Sequence, residues 1–259
     1  MTHKDIKPVL VLQKAIIALE SMLQAPQNFT LSEISKVTKI NKSTLYRILN
    51  TFKENGYVIQ NEQDSKYRLG YKFLEYGSVA ADLDVRNIAN PYMQSLSKQT
   101  GEITHLVIRD GDYGVYIDKV DSFISGNIRM ISSVGRRTHL HCTSVGKVLL
   151  SELEFEKVEQ IISAVGMPKK TKATITNSAD LFEELRKVRA QGYAVDNVEN
   201  EENVRCVAAP IRDSNNIIIA AISVSGTVLS VKEENVPQIA DLVMNAASGI
   251  SRALGCKLK

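Results

Sequence analysis

Cysteine is scarce in this sequence, which has only Cys142, Cys206 and Cys256. Three is an odd number, and the wide spacing excludes both a disulfide framework and a CxxC zinc site. Such cysteine use is typical of the reducing cytosol, so we expect a cytoplasmic protein.

Long apolar runs and a strong net charge are absent as well. No apolar stretch approaches the roughly 20 residues that span a bilayer, so we expect no membrane partner. The first residues carry no cleavage site of the kind that follows a secretory signal. The net charge is only +3, which excludes a histone-like tail and a polybasic membrane anchor.

The length of 259 residues favours two domains, and charge is divided unevenly along the chain. Residues 1–76 carry 11 basic and 7 acidic side chains, whereas the remainder carries 21 basic and 22 acidic ones. The positive excess therefore lies wholly in the N-terminal third. This favours a polyanion as the partner of that segment, although many ordinary solvated surfaces carry as much charge.

Three helices are predicted in the N-terminal third from apolar residues at helical spacing. They run from about Val9 to Leu23, from Leu31 to about Val37 and from Lys42 to about Asn55. Thr30 followed by Glu33 is the capping-box pattern, and Asn41 is a typical N-cap residue. Gly56 supplies the C-terminal stop of the third helix.

Two short apolar segments follow, Tyr57–Gln60 and Lys66–Leu69, and the polar turn between them predicts a β-hairpin. Three helices and a hairpin in this order predict a winged helix-turn-helix, whose third helix fits the DNA major groove. Polar and basic residues at the start of that helix and in the hairpin are the candidate DNA contacts. They are Lys42, Ser43, Thr44, Tyr46, Arg47, Lys66 and Arg68. The alternative is that these residues are ordinary exposed ones and that Tyr46 packs partly in the core.

A further helix is predicted from Gly70 to about Ala89, and we expect Pro91 to end or kink it. Small residues on one face permit the close approach of a second helix. Since a single winged helix contacts about one half-site, a dimer contact along this helix is a reasonable expectation. The alternative is that the helix packs only on its own domain.

The C-terminal two-thirds predicts a compact α/β domain, a sheet with flanking helices. Strands are expected at Thr104–Arg109, Gly114–Val120, Asn127–Ser132, Val204–Ile211 and Ile217–Ser225. Helices are expected at Pro91–Thr100, from Ser144 onward, and at about Glu154–Ala164, Ala179–Gln191 and Glu233–Leu254. The turn Asp110–Asp112 joins the first two strands as a hairpin, so the sheet is at least partly antiparallel.

Two known kinds of site, a phosphate-binding loop and a metal site, do not fit the spacing of the residues. Gly146-Lys147 resembles the end of a phosphate-binding loop, but His141 and Val148 stand where that motif requires Gly and Ser or Thr. His139, His141 and Cys142 would need a further ligand to form a metal site, and on a strand Cys142 would point to the other face. We therefore expect no metal and no other cofactor.

A nucleophilic triad of Cys206, His141 and Asp196 is a third possibility, if these residues meet in space. Sequence does not show whether they do. Cys206 lies in a predicted strand, where cysteines are usually buried and inert. We therefore expect no catalytic residue.

Small polar residues at the ends of apolar strands remain as a candidate binding site. Ser223 and Ser225 share one face of a strand because side chains alternate, and with Asp196 and Cys206 they offer hydroxyl, thiol and carboxyl groups. The predicted helix start at Ser144–Gly146 offers unpaired N–H groups that favour an anion. These residues predict a pocket for a small polar acid, against the alternative of ordinary satisfied polar groups.

The whole chain resembles the IclR family of bacterial transcriptional regulators. The motifs that carry the resemblance are Lys42–Leu49, Gly56–Val58, Tyr67–Gly70, Val134–Arg137, Thr143–Leu150, Gly192–Asn197, Val204–Pro210 and Ile222–Gly226. The resemblance implies an α+β fold with a winged helix-turn-helix at 1–70, a linker helix at 71–90 and a GAF-like effector domain with a mainly antiparallel sheet at 91–259. It also implies homodimers, often paired into tetramers, on a pseudo-palindromic DNA operator.

The same resemblance implies a site for a small carboxylate. In the family this site lies where an Asp, a Cys ten residues later and two strand serines converge. Those positions are Asp196, Cys206, Ser223 and Ser225 here. The further positions of the site correspond to Asn127, Met130, Ser144 and Val145. The segment His139–Cys142 departs from the family's usual Pro-Leu start, which bears on the size of the pocket.

Within the family, the segments Asn41–Arg47 and Ile128–Leu150 are most similar to the KdgR-like subgroup. Those regulators control pectin and hexuronate catabolism, respond to the keto sugar acid 2-keto-3-deoxygluconate and mostly repress transcription. The resemblance thus predicts a repressor with a small organic acid as effector. Three alternatives stay open: an activator of the same architecture, an enzyme that uses Cys206 on a keto acid, and an architectural DNA-binding protein without a ligand.

Overall fold

The computed structural model describes residues 8–23, 29–80, 84–122 and 132–257. The chain divides into two compact units, Met1–Asp82 and Leu83–Lys259. The three-part division expected from the sequence, with a separate linker at 71–90, stays a prediction.

The first unit contains four helices and a two-stranded sheet in its described part. The helices are α1 (Leu10–Leu23), α2 (Leu31–Thr38), α3 (Lys42–Glu54) and α4 (Lys72–Ala80), and the strands are β1 (Val58–Gln60) and β2 (Tyr67–Leu69). Apolar residues from all three N-terminal helices form one core, with Ala18, Ile34, Leu45 and Leu49 fully buried. This is the predicted winged helix-turn-helix, and every predicted helix bound is within about one residue.

Local hydrogen bonds fix the starts of α2 and α3. Glu33 N–H donates to Thr30 Oγ1 at 3.3 Å while Thr30 N–H donates to Glu33 Oε2 at 2.7 Å, which confirms the capping box. Asn41 Oδ1 accepts from Thr44 N–H at 2.9 Å and begins α3. Lys39, between the two helices, has a φ of 58° and turns the chain sharply.

The hairpin packs beside α3 through two glycines. Gly56 adopts a φ of 77°, which favours glycine, and directs the chain from α3 into β1. Gly70 follows β2, and a Cβ there would lie 2.1 Å from the carbonyl oxygen of Gly56. The close approach of the two backbones, joined by the Gly70 N–H to Tyr57 carbonyl bond of 2.7 Å, closes the hairpin.

The helix predicted to begin at Pro91 is wrong in its bounds, as is the predicted end of the Gly70–Ala89 helix before Pro91. From Lys72 on, that predicted helix is helical where it is described, and residues 81–83 lie outside the described residues. The structure has α4 in the first unit and α5 (Asp84–Thr100) in the second, and Pro91 lies within α5. Proline removes one backbone donor, but Ala89, Met93 and Leu96 on either side are fully buried against the sheet domain. Burial of this apolar face favours a helix that continues through the proline.

The second unit is built on a six-stranded antiparallel sheet. Its strands are β3 (Ile103–Asp110), β4 (Tyr113–Val120), β5 (Arg137–Thr138), β6 (Ala194–Asn197), β7 (Val204–Arg212) and β8 (Ile218–Thr227), in the order β5-β4-β3-β8-β7-β6. The helices that follow α5 are α6 (Ser144–Leu150), α7 (Phe155–Val165), α8 (Ser178–Gln191) and α9 (Val236–Ala253), the last preceded by a 3₁₀ turn at Glu233–Asn235. Strands β5 and β6 were not predicted, and the predicted strand Asn127–Ser132 lies outside the described residues except for Ser132, which is not in a strand.

The two faces of this sheet pack on different helices. Leu106, Val207 and Val224 face the core formed with α5 and α9. Their neighbours in sequence, such as Val107 and Ala208, face the core formed with α6 and α8. Because side chains alternate along a strand, residues an even number of positions from Ala208 on β7 point toward the face of the sheet that packs on α6.

Candidate DNA interface and ligand cavity

The start of α3 presents a polar surface. Leu45, which faces the core, is fully buried, whereas Lys42, Ser43 and Arg47 are exposed. Tyr46 is 56% exposed, so it is not packed in the core. A helix that buries one stripe and exposes polar and basic residues at its first turns fits the requirement for a recognition helix.

Two of the candidate contacts also shape the helix start. Thr44 is half-buried and gives its N–H to Asn41, and the Ser43 hydroxyl donates to Asn41 Oδ1 at 3.1 Å. In the hairpin Lys66 is half-buried, and the guanidinium of Arg68 lies 5.3 Å from the centre of the Tyr71 ring. The structure thus places all seven candidate DNA contacts on α3 and the hairpin.

A cavity of about 420 Å³ lies on the second unit. Three of the predicted effector residues line it: Asp196, Cys206 and Ser225. The other lining residues are His105, Tyr116, Ser132, Arg136, Arg137, Thr138, His139, Lys170, Asn200, Glu201 and Val204. Backbone register brings the three predicted residues together, since Asp196 pairs with Cys206 and Cys206 pairs with Ser225 across adjacent strands.

The other predicted effector residues do not line the cavity or are not described. Ser223 is buried beside Ala208 and is 2% exposed. Ser144 and Val145 are buried at the start of α6, where Thr143 Oγ1 accepts from Gly146 N–H at 3.1 Å. Asn127 and Met130 lie outside the described residues.

Asp196 is the buried acid of the cavity. Its Oδ1 accepts from the N–H groups of Glu199 at 2.7 Å and Asn200 at 3.3 Å. The pKa of Asp196 is raised to about 7, chiefly by burial and also by the Glu199 carboxylate, whereas these two N–H groups and the Lys147 ammonium act to lower it. The carboxyl group is therefore divided between its neutral and charged forms near neutral pH.

His105 is a neutral group in the cavity wall that sequence reasoning missed. Its Nε2 lies 2.8 Å from Ser132 Oγ and its Nδ1 lies 3.3 Å from Ser225 Oγ, and its ring packs edge-on against Tyr116. Burial, with the nearby Lys119 ammonium, lowers the pKa of His105 to about 3. The neutral imidazole offers one donor and one acceptor. Its place on β3, two residues before the buried Val107, is the pattern that indicates an inward side chain.

Three cations also line the cavity, and the sequence patterns predicted none of them as effector contacts. Arg136, Arg137 and Lys170 line it, against the acids Asp196 and Glu201. The Arg137 guanidinium forms an ion pair with Asp110 at 2.9 Å. Lys170 makes no ion pair with the part of the chain that the structure describes. Cations beside hydroxyl, imidazole and carboxyl groups suit a small polar acid.

The structure does not assemble the nucleophilic triad. The ring Nε2 of His141 lies 3.3 Å from the carbonyl oxygen of Pro168, and His141 does not line the cavity that holds Cys206 and Asp196. Burial, and the Asp196 carboxyl next to it, raise the pKa of the Cys206 thiol well above its ordinary value. A thiol held protonated is a poor nucleophile.

The sequence argument against a metal site placed His139, His141 and Cys142 on a strand, and the structure does not contain that strand. These residues lie in a bend and a turn before α6, and the Cys142 thiol points to Asn200 Oδ1 at 3.7 Å. Among the described residues, no group of three His, Cys, Asp or Glu side chains is placed to hold a metal ion.

Comparisons with known proteins agree with this architecture. The IclR helix-turn-helix domain matches residues 11–62, and the bacterial transcriptional regulator IclR C-terminal domain matches residues 77–252. The HTH-type transcriptional regulator KdgR of Escherichia coli is 38% identical over 245 residues, which are 93% of this chain and 92% of that protein. The regulator XynR of the same organism is 35% identical over 246 residues, covering 94% and 96%. The crystal structure of Thermotoga maritima IclR has a TM-score of 0.79 at 36% identity and covers 95% of this chain and 99% of that one.

The winged helix-turn-helix and the α/β domain with its polar cavity define a DNA-binding transcriptional regulator with a C-terminal effector domain. The chain belongs to the IclR family, as the sequence motifs predicted. Both the predicted family and the predicted α+β fold are therefore confirmed. No helix in the described ranges is long and apolar enough to cross a membrane.

Proposed function

We propose that this regulator is a cytoplasmic repressor whose affinity for its operator is controlled by a small organic acid bound in the cavity. The observation that carries the proposal is the convergence of Asp196, Cys206 and Ser225 on a cavity also lined by Lys170. Similarity to the E. coli regulator KdgR makes the keto sugar acid 2-keto-3-deoxygluconate the first candidate effector.

The size and chemistry of the cavity support a sugar acid. Its volume of about 420 Å³ lies within the range of small-molecule sites. A keto sugar acid brings one carboxylate and several hydroxyl groups. Lys170 and the two arginines are cationic partners for the carboxylate, and Ser225, His105 and Tyr116 are neutral partners for hydroxyl groups. We include Ser223, Ser144, Val145, Asn127 and Met130 in the proposed site on the family resemblance alone.

The proposed DNA contacts have different roles. Lys42, Ser43 and Thr44, at the first turn of α3, bind phosphates and base edges, and Arg47, one turn on, binds a base edge or a phosphate. Tyr46 contacts the sugar-phosphate backbone. Lys66 and Arg68 in the hairpin follow the backbone beside the groove. All of these side chains except Thr44 and Lys66 are exposed.

Regulation requires two recognition helices and a coupling between sites. We propose that a homodimer, or a pair of dimers, places α3 from two copies on the half-sites of a pseudo-palindromic operator. Effector binding acts on the operator affinity through the segment that joins the two units. A coupling free energy of roughly 1–3 kcal/mol is typical, and it must be reciprocal, so the operator changes effector affinity by the same factor.

We propose further that the cavity binds its ligand without turning it over. The raised pKa of Cys206 keeps the thiol protonated, and no histidine that lines the cavity is among its described hydrogen-bond partners. A regulator needs reversible binding, and the cavity offers donors and acceptors for that purpose.

A thermal-unfolding screen of the full chain against small organic acids tests the proposal. The set includes 2-keto-3-deoxygluconate, glyoxylate, pyruvate, hexuronates and aromatic acids. A ligand at 100 times its dissociation constant stabilises the folded state by about 2.7 kcal/mol, which is a measurable shift in Tm. A selective shift with the keto sugar acid that is lost in Asp196→Ala supports the proposal. No shift with any acid would overturn the effector class and leave the DNA-binding half intact.

A further inference from the structure

Lys147 is a buried cation next to the cavity that the proposed function does not use. It lies on α6 with its side chain 1% exposed. Its ammonium group contacts Glu199 Oε1 at 2.6 Å and Glu184 Oε1 at 3.2 Å. A buried charge is costly without partners, and these two carboxylates supply them.

Glu199 depends on that lysine. Its carboxylate is 8% exposed, and Oε1 accepts from Lys147 and from the Asn197 N–H at 3.3 Å. Its Oε2 is buried and has no hydrogen-bond partner among the described residues. The lysine charge is therefore the main compensation for a buried carboxylate.

The segment 198–203, which we call the cavity loop, begins directly after β6, two residues beyond Asp196, and contains Glu199. Val198 has a φ of 64° and Asn203 a φ of 63°, a region that a β-branched residue such as valine rarely adopts. Two threonine hydroxyl groups outside the loop bind its strained backbone. Thr171 Oγ1 donates to the Val198 carbonyl at 2.6 Å, and Thr174 Oγ1 donates to the Glu199 carbonyl at 2.6 Å. A strained loop persists only where its surroundings hold it.

The cavity loop positions both hydrogen-bond donors and lining residues of the cavity at this edge of the sheet. Its N–H groups at Glu199 and Asn200 are the described donors to Asp196 Oδ1. Asn200 and Glu201 themselves line the cavity. A displacement of Glu199 would therefore move the donors to Asp196 and two lining side chains together.

We propose that Lys147 is a positioning residue for the effector cavity: by binding Glu199, it holds the cavity loop so that Asp196 and Asn200 face the ligand. The identification of the cavity as the effector site rests on the proposed function. Lys147 does not line the cavity, so it acts through Glu199. Glu184, its second partner, lies on α8 and is outside the cavity loop.

The arrangement has an electrostatic signature. The titratable or charged groups that interact with Asp196 come from several elements: Lys147, Glu199, Cys206, Tyr116 and Cys142. Glu201 and Lys170 line the same cavity. Of the two ion-pair members, Glu199 raises the pKa of Asp196 and Lys147 lowers it. Lys147→Met and Glu199→Gln should therefore shift the Asp196 titration in opposite directions, an outcome that simple loosening of the fold would not produce.

The experiment follows the titration of Asp196 in the full chain by NMR of ¹³C-carboxyl-labelled aspartate, with the signal assigned by its absence in Asp196→Asn. Lys147→Met, Glu199→Gln, their double variant and the control Glu184→Gln are compared. Calorimetry with 2-keto-3-deoxygluconate gives the affinity of each. The double variant leaves no uncompensated buried charge, so it keeps the test valid if Lys147→Met alone fails to fold.

We expect Lys147→Met to move the midpoint of the Asp196 titration to higher pH and Glu199→Gln to move it to lower pH. Glu184→Gln should leave this midpoint near the wild-type value. The double variant should regain stability but bind the sugar acid roughly tenfold or more weakly, because small displacements of contact groups have such effects. Midpoints that stay unchanged or move together, or a double variant with wild-type affinity, overturn the proposal. If the wild type itself does not bind the sugar acid, the proposed effector is wrong, and the titration still shows whether the Lys147–Glu199 pair acts on Asp196.

Discussion

Asp196 on β6 and Cys206 on β7 are direct partners across an antiparallel strand pair, and both line the cavity. Their closeness has a chemical consequence, since burial and the neighbouring Asp196 carboxyl together raise the pKa of the Cys206 thiol. The pair thus offers the ligand a protonated thiol and a carboxyl group that is half neutral near pH 7. That combination suits the recognition of hydroxyl groups.

Replacing Arg47 by alanine should weaken operator binding and leave effector binding intact. Arg47 is exposed one turn into α3, and the loss of a good base contact costs about 1–3 kcal/mol. Fluorescence anisotropy on an operator selected from a random library measures the change. Lys53→Ala is the matched control, because Lys53 lies in the last turn of the same helix and contacts Gln60. Wild-type affinity in Arg47→Ala would show that the recognition surface is assigned wrongly.

The two strand serines should differ in their effect on ligand binding. Ser225 lines the cavity, whereas Ser223 is buried beside it on the same face of β8. Ser225→Ala is expected to lower the affinity for the effector by a factor of about ten, the value of one typical hydrogen bond to a charged or polar ligand. Calorimetry on both variants makes the comparison. An equal loss in Ser223→Ala would extend the site to Ser223, as the family resemblance implies.

Stability should depend on pH through Asp196. Its pKa rises from an ordinary 3.8 to about 7 in the folded protein, so the folded state binds the proton more tightly than the unfolded chain. The associated stabilisation is present at about pH 4 and is lost as the pH rises to about 7. Asp196→Asn does not ionise, so relative to the wild type it should gain up to about 4 kcal/mol between pH 4 and pH 8.

Urea denaturation at a series of pH values measures this difference. Glu156→Gln, at an exposed position on α7, is the control and should follow the wild-type curve. His105 contributes in the opposite sense, since its lowered pKa gives stability that is lost as the pH falls below about 6.5. The comparison of Asp196→Asn with the wild type removes that contribution. Parallel curves for these two proteins would mean that folding does not raise the pKa of Asp196.

Cys206→Ser should retain the response to the effector within a few fold. The thiol is protonated and neutral, and a serine hydroxyl offers a similar donor and acceptor. Operator release by the ligand, measured by anisotropy, checks the response, and chromatography of the ligand after long incubation checks its integrity. Consumption of the ligand by the wild type, abolished in Cys206→Ser, would establish the enzyme alternative instead.

Much of the first unit could be predicted because its signals are local. The capping box at Thr30, the cap at Asn41 and the glycine stop at Gly56 each involve residues within four positions of one another. Helix bounds follow from such contacts almost to the residue. Pro91 shows the limit of local reasoning, because the burial of Ala89, Met93 and Leu96 outweighs the proline's preference to end a helix.

The sequence by itself determined the family and the winged helix-turn-helix, and it indicated three of the polar residues that line the cavity. It also indicated that Cys206 lies on a strand, which β7 confirms. These conclusions depend on patterns along the chain, where hydrophobic period and capping residues act over short separations.

Only the tertiary structure decided which polar groups meet. Strand order places Asp196, Cys206 and Ser225 side by side, adds His105 from β3, and leaves Ser223 and Val145 outside the cavity lining. Burial then sets the pKa values of Asp196 and His105, which no spacing in the sequence encodes. The physical reason is that desolvation and pairing depend on contacts between residues distant in the chain, and those exist only once the sheet has formed.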